Sequence, residues 1–149
     1  MAEQSNNLNN GPSSEAGDQE LVEAAHAVRA NAYAPYSEFP VGAAVRDAQG
    51  RIHVGANVEN ASLGLSICAE RNAIARAAAE GARVIVAVAV VAGHGEPASP
   101  CGACRQVLAE FGPDMRVLLA TEDGAQRQYT LGELLAHPFL DFRNTKDST

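Results

Sequence analysis

Three cysteines and one glutamate are the residues of this chain best suited to chemistry: Cys68 and Glu70 in "SICAERNAI", and Cys101 and Cys104 in "SPCGACRQVL". A C-x-x-C pair alone is ambiguous, since two thiols on one helical face can bind a metal, cycle as a disulfide or pack in a core. The helix boundaries read below place all three thiols at helix beginnings, where the positive end of the helix dipole favours the metal-binding thiolate. Three thiolates with a fourth place left to water make a catalytic rather than a closed structural zinc site. Zinc brings the pKa of such a water down to about 7, so hydroxide is available at neutral pH. Glu70, two residues beyond Cys68, would lean over that water and carry its proton to a substrate. The sequence C-A-E, followed thirty positions after the glutamate by P-C-x-x-C, is far more specific than any of its parts.

The elements that must position these groups can be read from periodicity and punctuation. From Asp18, a good N-cap, Leu21, Ala24, Ala25 and Val28 mark a one-faced helix that stops at "NAYAPYS". "FPVGAAVRD" and "RIHVGANVE", separated by "AQG", predict a β-hairpin. "SICAERNAIARAAAEG" predicts a helix capped by Ser66 and ended by Gly81, and "RVIVAVAVVA" a strand covered on both faces. "SPCGACRQVLAEFG" predicts a helix with Ser99 as N-cap, Pro100 in its first turn and Gly112 at its end. "MRVLLAT" and a short fifth strand around "RQYT" follow, and Thr130 with Glu133 forms a capping box before "LLA". Strands and helices in this order predict an α/β fold, a three-layer α-β-α sandwich around a mixed five-stranded sheet. Two helices entering from the same side of that sheet would bring their N-termini together, and with them the thiols.

Whole-chain numbers set the bounds. With 149 residues, 46% hydrophobic and 19% charged, the chain reads as one soluble domain whose core needs no cysteine staples. Residues 1–17 are predicted to be a disordered polar tail, 18–142 the single domain and 143–149 a second polar tail. An odd number of cysteines, with no lysine, arginine or apolar core in the first 28 positions, favours a reducing cytoplasmic setting. The longest apolar run, residues 84–92, falls short of the roughly 18 residues that span a bilayer, which predicts no membrane role. A net charge of −7 with arginines scattered rather than striped disfavours nucleic acid and suits a small uncharged substrate. His26, His53, His94 and His137 show no ligand spacing and read as incidental.

The pattern corresponds to the zinc-deaminase signature H-x-E followed by P-C-x-x-C, with cysteine in place of histidine. Together with "AYAPYSEFPVGAA", "GANVENASLGLSICAERNAI" and "SPCGACRQVL", it makes the chain resemble the small, all-cysteine, homotetrameric cytidine deaminases over about Tyr33 to Phe139. The resemblance implies a cytidine deaminase-like fold and hydrolytic deamination of cytidine and 2'-deoxycytidine by a zinc-bound hydroxide. Cys68, Cys101 and Cys104 would hold Zn2+, and Glu70 would shuttle protons to N3 and the leaving amine. Asn57 and Glu59 would bind the ribose 3'-hydroxyl, Phe39 would pack on the nucleoside, and the backbone of Ala69 would hold the pyrimidine. Arg71 would draw charge from the sulfurs, and Phe139 would reach the base of a neighbouring subunit. The chain departs from the family's "LLPxxF" at "LLAHPF", where Ala136 replaces proline. Leu134, Leu135, Phe139, Leu140 and Phe142 in this terminal segment are expected to dock on a neighbour. Two alternatives are a deaminase of a related nucleoside such as blasticidin S, and a non-catalytic module whose structural zinc is closed by a histidine such as His94.

Overall fold

Side-chain alternation along one strand sets the layering. In β3 (Ile85–Ala92), Val88 and Val90 face the same side as Ala43, Val45, Val117 and Leu119. Ala87, Ala89 and Val91 face the other side, with Ala44, Leu118 and Ala120. Only Val86, 38% exposed, interrupts the burial of this strand, as a strand covered on both faces requires.

The structure, a computed structural model, describes residues 15–142. Around β3 stand α1 (Glu15–Arg29), β1 (Val41–Asp47), β2 (Ile52–Ala56), α2 (Ala69–Ala79), α3 (Gly102–Phe111), β4 (Arg116–Ala120), β5 (Gln126–Thr130) and α4 (Leu131–Leu134). The sheet order is β2-β1-β3-β4-β5. β1 is antiparallel to both β2 and β3, β3 is parallel to β4, and β5 returns antiparallel. The parallel pair needs a crossover, and α3 supplies it. Leu21 and Ala25 of α1 close one face of the sheet, while Ala69, Ala73, Ile74, Leu108 and Ala109 of α2 and α3 close the other. Full burial of Leu21 alone contributes about 2 kcal/mol. This is the predicted three-layer sandwich with its mixed five-stranded sheet.

Two glycines let the outer layers approach. A β-carbon on Gly42 would stand 2.0 Å from the carbonyl oxygen of Ala25, so α1 crosses β1 where there is no side chain. Gly55 does the same for α2 on the opposite face.

Local details depart from expectation in three places. First, α1 begins at Glu15, ahead of Asp18. The Asp18 carboxylate does not mark the helix start but takes both its bonds, at 2.5 and 2.6 Å, from Arg116 on β4. The buried Arg46 donates to the Gly17 carbonyl and to Glu20, tying the same turn to the sheet. Apart from residues 15–17, the predicted tails at 1–17 and 143–149 lie outside the described residues. Second, the N-caps of α2 and α3 are Cys68 and Cys101, not Ser66 and Ser99. Third, His53 is 1% exposed, with Nε2 2.9 Å from Asp47 and Nδ1 2.5 Å from Glu80, and so pins the hairpin to the end of α2. The Thr130–Glu133 capping box forms as predicted. No helix among the described residues is long and apolar enough to cross a membrane.

Candidate active site

The helices α2 and α3 pack side by side with their first turns at one end, and their two N-cap residues are both cysteines in extended backbone, at φ −68° for Cys68 and −64° for Cys101. At this position a side chain faces the free N–H groups of the first turn. The Cys101 sulfur accepts such a bond from the Cys104 N–H at 3.4 Å. Cys104, one turn on, turns its own thiol into the same space, and the three Sγ atoms lie within 4.8 Å of one another. Cys68 and Cys101 are 3.9 Å apart. Ligands at about 2.3 Å on a tetrahedron stand about 3.8 Å from each other, so the spacing and the soft donor set both fit zinc.

Electrostatics argue the same way. Burial, with the neighbouring Glu70 charge next, pushes the Cys104 thiol far above the ordinary thiol range. Burial also opposes ionisation of Cys101, but hydrogen bonds from the Cys104 backbone and its neighbours outweigh it and bring that thiol down. Three thiolates this close repel one another, and only a cation among them makes the fully deprotonated trio stable. Arg71 helps from one side, with Nη2 3.6 Å from the Cys68 sulfur and 3.4 Å from the Ser66 carbonyl. Its guanidinium pKa is raised, chiefly by the bond to Cys68.

Glu70, in the first turn of α2, is 5% exposed and beside the thiols. Burial raises its pKa despite bonds from its own backbone and from Cys104 and the charge of Arg71. It forms the floor of a cleft of about 280 Å³ together with Cys68, Ala69 and Cys101, whose wall includes Phe39, Val41 and Asn57. A second cleft of about 310 Å³ adjoins it, sharing Ser37, Asn57 and Cys68 and adding Glu59 and Leu63. Either alone is at the lower end of small-molecule sites, roughly 300–1,000 Å³, and the two together fall well inside that range. The structure thus gathers nine of the ten sequence-predicted site residues, namely Cys68, Cys101, Cys104, Glu70, Ala69, Arg71, Phe39, Asn57 and Glu59.

Phe139 is the exception. Its ring is 65% exposed and lines neither cleft, while its backbone is fastened to α3 through Gln106, at 2.6 and 3.3 Å. The terminal segment divides in two: Leu134 and Leu135 pack on the chain's own core, contrary to the expectation that all five apolar residues dock elsewhere, and Phe139, Leu140 and Phe142 stay exposed. His94 is 70% exposed on its side chain and pairs with Glu122, away from the thiols. Sequence reasoning passed over Ser37 and Arg105. The guanidinium of Arg105 holds Ser99, the Pro100 carbonyl and the Leu134 carbonyl at 2.8–2.9 Å, fixing the approach to Cys101. A single arginine on a helix carries no local signal of that role.

Comparison with known proteins agrees with this geometry. Residues 15–121 match the family described as the cytidine and deoxycytidylate deaminase zinc-binding region. A cytidine deaminase of Halalkalibacterium halodurans is 49% identical over 122 residues, covering 81% of this chain and 92% of that protein. A cytidine deaminase of Mycobacterium tuberculosis is 44% identical over 110 residues, covering 74% and 80%. The crystal structure of cytidine deaminase from Burkholderia pseudomallei superposes with a TM-score of 0.78 at 48% identity, covering 81% of this chain and 98% of that one. A zinc-binding family and a three-thiol cluster able to hold a metal ion give zinc as the cofactor. With fold, donor set and sequence in agreement, the chain belongs to the cytidine and deoxycytidylate deaminase zinc-binding family.

Proposed function

We propose that this chain hydrolytically deaminates cytidine and 2'-deoxycytidine to uridine and 2'-deoxyuridine, releasing ammonia and returning pyrimidine nucleosides to use. The observation that carries the reading is the buried Glu70 carboxylate set beside three convergent thiols at the floor of a nucleoside-sized cleft. Cys68, Cys101 and Cys104 would hold zinc, which when bound supplies a Lewis acid that makes water a competent nucleophile at neutral pH. Glu70 takes a proton from the water as its oxygen adds to C4, and delivers it to N3. It then carries the second proton to the exocyclic amine, and the C4–N4 bond breaks to release ammonia. The Ala69 backbone orients the pyrimidine, Phe39 packs against the nucleoside, and Asn57 and Glu59 hold the 3'-hydroxyl. Arg71 draws charge from the sulfurs, so that three thiolates do not cancel the cation's field.

The finer parts of the reading concern assembly and location. Exposed Phe139, Leu140 and Phe142 support a homotetramer in which Phe139 closes a neighbour's cleft. Three unpaired cysteines support a reducing cytoplasmic setting. A spectrophotometric assay on cytidine, deoxycytidine, cytosine and blasticidin S tests the whole. The two nucleosides should react alike and free cytosine poorly, because binding energy from the sugar orients the base. Equal rates on cytosine, or preference for blasticidin S, would overturn it.

A further inference from the structure

The turn from Tyr36 to Val41 carries Phe39 to the cleft, and side chains from the stretch after β2 give it its shape. Glu59 accepts the backbone N–H groups of Tyr36 at 3.0 Å and Ser37 at 3.1 Å on one carboxylate oxygen, while the Ser37 hydroxyl donates to the other. The same Ser37 oxygen accepts the Phe39 N–H at 3.1 Å. Asn57 closes the far end, accepting the Val41 N–H at 2.8 Å and donating to the Phe39 carbonyl at 3.0 Å. Between these anchors Glu38 is held at φ 55°, the one non-glycine residue with positive φ among the described residues. Such a backbone is strained for a residue with a β-carbon and persists only where its surroundings fix it.

We propose that Ser37 is a positioning residue for sugar recognition, its hydroxyl locking the Glu59 carboxylate in the one orientation that accepts the ribose 3'-hydroxyl and steadying the Phe39 turn in the same contact. This rests on the deamination reading for the identity of the substrate. The direction of the bonds follows from donor and acceptor counts. The Phe39 N–H can only donate, so the Ser37 oxygen accepts there and its proton is left for Glu59, whose Oε1 keeps one lone pair free beside Ser37 and Asn57 in the cleft. Glu59 is held below the ordinary carboxylate range, first of all by this Ser37 bond, and so stays ionised as a pure acceptor. Ser37 is exposed, so its truncation opens no cavity in the core.

The test compares wild type, Ser37→Ala and Ser37→Thr on cytidine and on 2',3'-dideoxycytidine, which lacks the 3'-hydroxyl, together with amide hydrogen exchange at Phe39. In Ser37→Ala, kcat/KM on cytidine should fall about tenfold, the scale of one charge-assisted hydrogen bond, and that on dideoxycytidine by less than about threefold. Ser37→Thr should recover the cytidine value, and Phe39 exchange should be slow in wild type and the threonine variant but fast in the alanine variant. Equal losses on both nucleosides, failure of threonine to rescue, or unchanged Phe39 exchange would overturn the proposal. An inactive wild type overturns the deamination reading instead, and the exchange measurement then decides the Ser37 clamp by itself.

Discussion

Gly55 lies directly beneath the first turns of α2: a β-carbon there would stand 2.3 Å from the backbone nitrogen of Ala73 and 2.6 Å from the carbonyl oxygen of Ala69. Both obstacles are backbone, so no rotamer change relieves them. The helix that carries Glu70 and is capped by Cys68 is therefore set at its depth by a missing side chain on β2. Gly55→Ala should lift that helix, destabilise the fold by about 1–3 kcal/mol and loosen the thiol cluster. Thermal unfolding and zinc retention against a mild chelator check this, and a variant that keeps both would show that α2 is not positioned by Gly55.

Glu70→Gln preserves shape and hydrogen bonding in the first turn of α2 but removes the group that carries protons. Metal analysis should still find about one zinc per chain, because the three thiols are untouched. Deamination should drop by roughly 10²–10⁴-fold, the usual contribution of a general acid–base. Activity near the wild-type level would end the proton-carrying role.

A cleft completed by a neighbour's Phe139 should allow an inactive variant and an impaired one to repair each other. Subunits carrying Glu70→Gln, mixed and exchanged with subunits carrying Phe139→Ala, should rise above the summed activity of the two unmixed variants, since some mixed sites then hold both intact residues. Stacking of the ring on the base is worth about 1 kcal/mol or more, so Phe139→Ala alone should be impaired several-fold. A monomer in sedimentation, or no recovery after proven exchange, would reject the shared site.

The hairpin's charged anchor makes a statement about acid. Burial pushes the Asp47 carboxyl up, but bonds from His53, Arg51 and Gln49 together outweigh it and hold its pKa at about 2, below the ordinary 3.8. A depressed carboxylate contributes stability that is fully present above the unfolded-state pKa and is lost as pH falls through the folded-state value. The gap in Tm between wild type and Asp47→Asn should therefore be steady above pH 5 and shrink from about pH 4 toward pH 2. A gap that stayed constant into acid would deny Asp47 this role.

How far the sequence could be read depended on the range of the interactions involved. β3 declared itself through an unbroken apolar run rich in valine, and the Thr130–Glu133 box formed as written, because both are local. The helix starts were misplaced by two residues, since serine is the better cap by propensity and nothing local says that Cys68 and Cys101 will take the cap. His53 looked incidental because its partner Glu80 is 27 residues away and on another element. Asp18 looked like a cap because Arg116, 98 residues on, could not be seen to claim its carboxylate. The thiols and Glu70 could be expected to lie together because their spacing reflects two helix starts that the sheet brings side by side. Ser37 was missed because its partners, Glu59 and the Phe39 amide, meet only in the folded turn.

The parallel pairing of β3 with β4 has a consequence for the unfolded chain. It requires the α3 crossover, which places Cys101 after the central strand while Cys68, at the start of α2, precedes it, so the two are 33 residues apart in sequence although their sulfurs are 3.9 Å apart. An ion held by both therefore closes a long loop around β3, and a covalent link of that span would restrict the unfolded ensemble by about 4 kcal/mol. Zinc bound there would act on chain entropy as a removable staple between the two helix starts, and its withdrawal would release that restraint.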